Sequence, residues 1–409
     1  MHTSLLALAF VAQVVAQPQR PVIRSRADLV TTDVRVQDER GHFVADLRKD
    51  DFEVYEDGVN QDVSMFVLTH GGRVFNETPP PSAATEGLLL PVARPPGDRS
   101  GRVFLIFVDD FHIDFRLTSR VRELLHTIAT DVVHDGDLFG IVSSGYSSIA
   151  IEMTYDRKPL ADAAARVQGA GLPPSDVIAT PHGAQGPAEV RHRAHVAFST
   201  AYEILQKFEQ IHDRRKAFIY ISEGYDYDPY SRSRAKAAAD RNPAPRGSAA
   251  DTGQVPDTNP FSTGNNEFAA ADLSAELAEL TREANRANTT IYTIDPRGLV
   301  GGPDIDQTTL DSRDWQDHVR ETQNSLRTIA ELTGGVAVVD RNDFKAALKR
   351  IDSEMSDYYV LGYYSSNPDP LKKRRTIEIR IKPSPGKHAG KYELSYRTSY
   401  TLKPPVSRR

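Results

Sequence analysis

The chain contains no cysteine. That excludes disulfides, thiolate metal sites, cysteine catalysis and a lipid anchor carried on cysteine. It also lacks a long hydrophobic run. Its most apolar leading stretch, Leu5 to Val15, is eleven residues long, well short of the ~20 a bilayer span requires. Charge of neither sign dominates. Lys and Arg number 50 against 56 Asp and Glu, for a net −6 over 409 residues, so there is no general signal for nucleic acid. Two catalytic signatures are missing as well. After the most apolar strand of the chain comes neither a glycine-rich phosphate loop nor a serine or cysteine nucleophile elbow.

That strand is Val103-Phe-Leu-Ile-Phe-Val108, and it runs directly into Asp109-Asp110-Phe111-His112-Ile113-Asp114. A continuous run rich in Val, Ile and Phe reads as a strand buried on both faces of a parallel sheet. Helix-like sequence follows from Leu117 to Val133. In open parallel sheets ligands bind beyond the carboxyl ends of the strands. Asp109, Asp110, His112 and Asp114 therefore sit where such a sheet places its site.

The rest of the chain is organised around this segment. The N-terminus reads as an export signal, residues 1–16, with Val14-Val15-Ala16 meeting the small-residue requirement for cleavage before Gln17. Periplasm and secretion are equally compatible with it. Residues 28–70 read as β, with a turn at Glu56-Asp57-Gly58. Residues 71–100, with a Gly pair, Pro79-Pro80-Pro81 and Pro95-Pro96-Gly97, read as a linker. From 101 to 355 strands alternate with helices. Lys216 to Ser222 is a second buried strand, ending at Glu223-Gly224, and Thr290 to Ile294 is another. Residues 229–267 interrupt the pattern as a polar insertion before a helix at Ala269–Asn288. Its basic half could touch an anionic partner. Residues 356–402 return to β, with strict alternation over Arg375–Ile381. Neither terminal set of strands suffices for a core. Together they make a plausible sandwich; two separate small β-modules are the alternative.

The fold class expected is thus mixed α/β. A mostly parallel, doubly wound sheet is inserted in, or flanked by, an all-β sandwich. Ser222, Tyr225, Asp226 and Tyr227, with Asp109, would rim a binding face at the strand ends. A plainer reading has Asp109 and Asp110 capping the following helix and pairing with Arg116 or Arg120.

Several motifs carry a resemblance by their order and spacing. They are Asp51-Phe-Glu-Val-Tyr-Glu-Asp-Gly58, Phe107-Val-Asp-Asp-Phe111, Tyr220-Ile-Ser-Glu-Gly224, Ile291-Tyr-Thr-Ile-Asp-Pro-Arg-Gly298, Leu332-Thr-Gly-Gly335 and Tyr358-Tyr-Val-Leu-Gly-Tyr363. Over about residues 28–400 the chain resembles the von Willebrand factor A-like domains, specifically the bacterial VWFA-related domain proteins frequent in acidobacteria. The resemblance implies a divalent cation at the top of the sheet. Its ligands would be Asp-x-Ser-x-Ser after the first strand, a Thr in a middle loop and an Asp before Gly after the fourth. Here the first motif becomes Asp110-x-His112-x-Asp114, and the Asp-Gly becomes Glu223-Gly224. Thr180, or less favourably Ser175, stands for the Thr. The implied site is altered: carboxylate oxygens suit Mg²⁺, and an added imidazole favours Mn²⁺ or Zn²⁺. The function expected is an exported, non-enzymatic binding or adhesion module for a protein or peptide partner. It would bind no nucleic acid and not span the membrane, and its oligomeric state is left open. The alternatives are a structural component of an envelope complex and a metal-assisted hydrolase using Asp110, His112, Asp114 and Glu223.

Overall fold

The computed structural model describes residues 29–78, 102–178, 188–226 apart from 210, 212 and 213, 260–302, 310–382 apart from 368, 370, 371 and 373, and 392–401. The N-terminal stretch 1–16, Thr180 and Tyr227 lie outside the described residues. The described fold is mixed α/β: one six-stranded, mostly parallel sheet and two antiparallel sheets.

The antiparallel sheets draw on both ends of the chain. The strands before the α/β segment are β1 (Leu29–Gln37), β2 (Phe52–Glu56), β3 (Val59–Gln61), β4 (Val63–His70) and β5 (Arg73–Thr78). In the larger sheet, of order β14-β1-β12-β4-β5, they meet β12 (Tyr358–Tyr364) and β14 (Glu393–Tyr396). The smaller sheet, of order β15-β13-β2-β3, adds β13 (Arg374–Ile381) and β15 (Ser399–Thr401). Strand β13 buries Ile377 and Ile379 on one face and exposes Thr376 and Glu378 on the other, as a half-covered strand must. Those isoleucines share one core with Val34, Phe66 and Tyr359 of the other sheet.

Two turns explain how these strands find register. Asp57 and Gly58 both have positive φ (51° and 83°) and join β2 to β3 through the pair Glu56–Val59. Gly71 and Gly72, at 55° and 75°, join β4 to β5 through His70–Arg73. Positive φ at both central residues is the two-residue hairpin geometry that matches strand twist. The second hairpin corrects the linker reading over residues 71–78; residues 79–100 lie outside the described residues. The Gly pair closes a hairpin, and Arg73–Thr78 is an edge strand.

In the parallel sheet the order is β11-β10-β9-β6-β7-β8. Its strands are β6 (Arg102–Val108), β7 (Leu138–Ser143), β8 (Ala150–Thr154), β9 (Arg215–Ile221), β10 (Thr289–Ile294) and β11 (Ala337–Val338). Only β8 pairs antiparallel, on β7. Every residue of β6 is buried. Phe104, Ile106 and Val108 enter the core on one face, and Val103, Leu105 and Phe107 the core on the other. That two-sided burial is why the sequence shows a run and not an alternation. Helices cover both faces: α1 (Thr118–Thr127), α2 (Lys158–Arg166), α3 (Pro174–Ile178), α4 (Ala188–Phe208), α5 (Pro260–Arg286), α6 (Ser312–Leu332) and α7 (Phe344–Ser356). No helix among the described residues is long and apolar enough to cross a membrane.

Two boundaries differ from the sequence reading. Helix α5 starts at Pro260, so residues 260–267 belong to a helix and not to the insertion. Proline is well placed in a first helical turn, but Gly264-Asn265-Asn266 disguises the turns that follow. The sequence pattern reads as helix only from Leu326 to Leu332, whereas α6 begins at Ser312, where Asp311 caps it by accepting from Arg313 N. Its buried face includes Thr322, Gln323 and Ser325, so an apolar template misses it.

Candidate functional site: a wired carboxylate beneath a cleft

Strand order reverses between β6 and β9. Counted along the α/β segment, the first strand there lies beside the fourth, which is the switch point where doubly wound sheets bind ligands. The parallel ladder extends one step past β6, with Asp109 N donating to Ile221 O at 2.9 Å. This puts the Asp109 and Asp110 side chains at the carboxyl edge, and both residues are fully buried.

Asp109 is a hub. Its carboxylate accepts from Ser144 Oγ (2.8 Å), Ser222 Oγ (2.9 Å) and Tyr225 Oη (2.5 Å), and His112 Nδ1 lies 3.0 Å away. The Tyr220 hydroxyl bonds that of Tyr225 in turn. Burial alone would raise the Asp109 pKa. His112, Tyr225 and Ser144 outweigh it and hold the carboxyl below its ordinary value. Tyr225 is pushed the other way, by burial first and then by the Asp109 charge. Asp110 accepts from Ser147 N at 2.6 Å and lies 3.1 Å from Ser144 Oγ. The partners of both carboxylates are thus serines, a tyrosine, an imidazole and a backbone amide. Neither caps the helix or pairs with Arg116 or Arg120, which corrects the plainer reading.

The other candidates also have protein partners. Asp114 caps the short turn that follows it by accepting from Arg116 N (2.8 Å), and it pairs with Arg116 Nη2 (2.9 Å). Burial opposes ionisation of Asp114, but Arg116 prevails and lowers its pKa. Glu223 accepts from Asp114 N at 2.5 Å. Burial drives the Glu223 pKa up to about 7; Arg297 opposes this and Asp295 and Asp114 add to it. Arg297 cannot give Glu223 full compensation. Its guanidinium forks onto Asp295 (2.9 and 2.8 Å) and stands 3.9 Å from Glu223. Asp226 lies 3.1 Å from His318 Nδ1. Ser175 lies in α3, with Oγ 3.5 Å from Asp176.

Glycines let the loops approach this closely. A Cβ on Gly169 would meet Asp114 O at 2.6 Å, and one on Gly171 would meet Ile113 O at 2.9 Å. Backbone bonds from Ala170 N to Asp110 O and from Gly171 N to Ile113 O close that contact. At Gly224, φ is 89° and a Cβ would stand 2.1 Å from Thr322 O, so only glycine fits.

Above the hub a cleft opens, lined by residues of the β6 and β9 loops and of α3, α4, α5 and α6. Its floor includes His112, Glu223, Tyr225 and Asp226, and its walls include Leu172, Val177, Val190 and Leu273. The structure therefore gathers Asp109, His112, Ser222 and Tyr225 into one network. It sets Asp114, Glu223 and Asp226 along the cleft and turns Asp110 towards Ser147. Among the described residues, no three His, Asp or Glu side chains are grouped as a ligand set. As arranged, the oxygens of Asp109 and Asp110 accept from protein donors and Asp114 pairs with Arg116.

Sequence reasoning missed Ser144, Ser147 and Arg297. The signal was there for the serines. Ser143-Ser144-Gly145-Tyr146-Ser147-Ser148 is hydroxyl-rich and follows the strand next to β6. Asp295-Pro-Arg-Gly298 reads in the sequence as a structural turn, yet Arg297 also reaches Glu223 O at 2.6 Å.

No protein-family model matches the chain, and no curated protein matches it in sequence. Among solved structures it is similar to the manganese-loaded TRAP protein of Plasmodium vivax. Identity is 10% and the TM-score 0.30, over 72% of this chain and 92% of that one.

Proposed function

We propose that this chain is an exported binding module of the von Willebrand factor A kind. Its cleft at the β6–β9 switch point receives a protein or peptide partner, and the antiparallel sheets carry the α/β part. The observation that carries the reading is the position and build of the cleft. It opens where strand order reverses, its walls are largely aliphatic, and its floor is fixed from below by the Asp109 hydrogen bonds. A preorganised, largely apolar concavity with a few polar groups is the usual form of a binding site.

The same geometry argues for binding over hydrolysis. Ser144 and Ser222 both donate to Asp109, a carboxylate held below its ordinary pKa and so a weak base for either hydroxyl. His112 turns Nδ1 to Asp109, and Asp114 is occupied by Arg116.

Site-directed photocrosslinking tests the reading. A crosslinker at Val177 in the cleft wall should capture one discrete partner from an envelope extract. The same group at exposed Glu39, in the antiparallel sheets, should not. Identical adducts from both positions, or adducts from Glu39 alone, would refute a role for the cleft.

A further inference from the structure

We infer that the cleft recognises a basic side chain, lysine or arginine, carried on an extended segment of the partner. This rests on the reading of the cleft as a binding surface and adds the chemistry of its occupant.

Charge is the first argument. Three carboxylates, Asp114, Glu223 and Asp226, line the cleft, against one guanidinium, Arg193. Arg193 is committed to protein partners. It bonds Glu189 Oε1 (2.6 Å) and Ala170 O, and it lies over the Phe111 ring at 5.3 Å. Asp114 is answered by Arg116. Glu223 is the uncompensated one: it shares Arg297 with Asp295, and the shared guanidinium favours Asp295. Only 16% of the Glu223 side chain is exposed, so bulk water screens it poorly.

Shape is the second argument. Leu172 and Pro174, with Val177, Val190 and Leu273 from three helices, offer aliphatic surface beside these carboxylates. Lysine and arginine present that same combination, an apolar stem and a charged tip.

The third argument is the wiring of the hub. The resemblance described above implies a cation that would make this face attractive to a partner's carboxylate. Here the Asp109 and Asp110 oxygens are taken by Ser144, Ser147, Ser222 and Tyr225. The carboxylates that line this face are complementary to a cationic partner.

Fluorescence anisotropy on the full chain tests this. The probes are four labelled peptides of one Ala-Ser-Leu host sequence, differing only in a central Arg, Lys, Gln or Glu. The Arg and Lys peptides should bind about tenfold tighter than the Gln peptide, the Glu peptide weakest, and EDTA should change nothing. Glu223→Gln should remove most of the advantage of Arg over Gln; Glu39→Gln should leave it intact. Equal affinity for all four peptides would overturn the inference while leaving the cleft a binding site. So would tightest binding of the Glu peptide, abolished by EDTA. Failure of every peptide at millimolar concentration would count against both the inference and the binding role. An unchanged Arg advantage in Glu223→Gln would overturn the assignment of Glu223.

Discussion

Replacing Glu223 by glutamine should make the protein more stable, and only at high pH. The side chain is mostly buried, and its carboxyl is raised from an ordinary 4.5 to about 7. A group whose folded pKa is raised contributes stability that is fully present below its unfolded value and lost as pH climbs through the folded one. The window is therefore pH 4.5 to 7. At ~1.4 kcal/mol per pH unit, the wild type should lose about 3 kcal/mol across it through this group alone. Glutamine keeps an oxygen to accept from Asp114 N and cannot ionise. The variant should match the wild type near pH 5 and exceed it by about 2–3 kcal/mol at pH 8. Titrations of Asp109, Asp114 and the histidines are common to both proteins and largely cancel in the difference. Urea unfolding from pH 5 to 8 supplies the assay. Trp315, the single tryptophan, lies in α6 with Nε1 donating to Gly301 O, so its fluorescence reports on the α/β part. A stability difference that stays constant between pH 5 and 8 would refute the placement of Glu223 as a buried, under-compensated acid.

The hub allows a second test. Tyr225→Phe leaves the ring and removes the donor to Asp109, and should cost about 1–3 kcal/mol with or without EDTA. A loss confined to metal-loaded protein would instead make a cation part of the hub. Asp109→Asn should flatten the fall in stability below pH 3.8, because the lowered Asp109 pKa contributes stability that is lost as pH falls through it. Acid unfolding curves that superimpose for Asp109→Asn and wild type would contradict this. Export is checked at the N-terminus, where mass analysis of envelope-derived protein should find Gln17 first. Recovery of Met1 would sink the signal assignment.

The parts of the fold legible in the sequence were those where burial leaves a simple trace. Strand β6 showed as a run because both of its faces are covered, and β13 showed as an alternation because one is. The hidden parts have specific causes. Gly71-Gly72 fits a linker as well as a hairpin until the positive φ values are known. Helix α6 buries Thr322, Gln323 and Ser325, which look solvent-facing in a pattern of hydrophobicity. At the site, Asp109 and Glu223 were found because strand ends can be located from composition. Ser144 was not, because it lies 35 positions from Asp109 and no local spacing links them; Tyr225 was placed on the same rim, but its bond to Asp109, 116 positions away, was not legible. Alternation also cannot say which way a carboxylate turns, and here that decides between a cation ligand and an acceptor of hydroxyls.

The antiparallel sheets impose an order on how the molecule comes together. Strand β1 lies between β12 and β14, and Leu47 N donates to a tyrosine hydroxyl 312 positions away. A ribosome delivers the early strands long before their partners, and until then their hydrogen-bonding edges are open to other chains. Closing a gap of that length through a disordered chain would be slow. The α/β segment removes most of that gap when it folds. Arg102, at its entry, bonds Asp352 and Ser356 at its exit, and Gly72 N donates to Ser356 O. The two ends of the folded segment are thereby held side by side, so the sheets are completed as a nearly local event. Arg102 thus ties the entry of the segment to its exit, remote from the cleft. Its loss should be felt first as aggregation during production, before any defect in the finished protein.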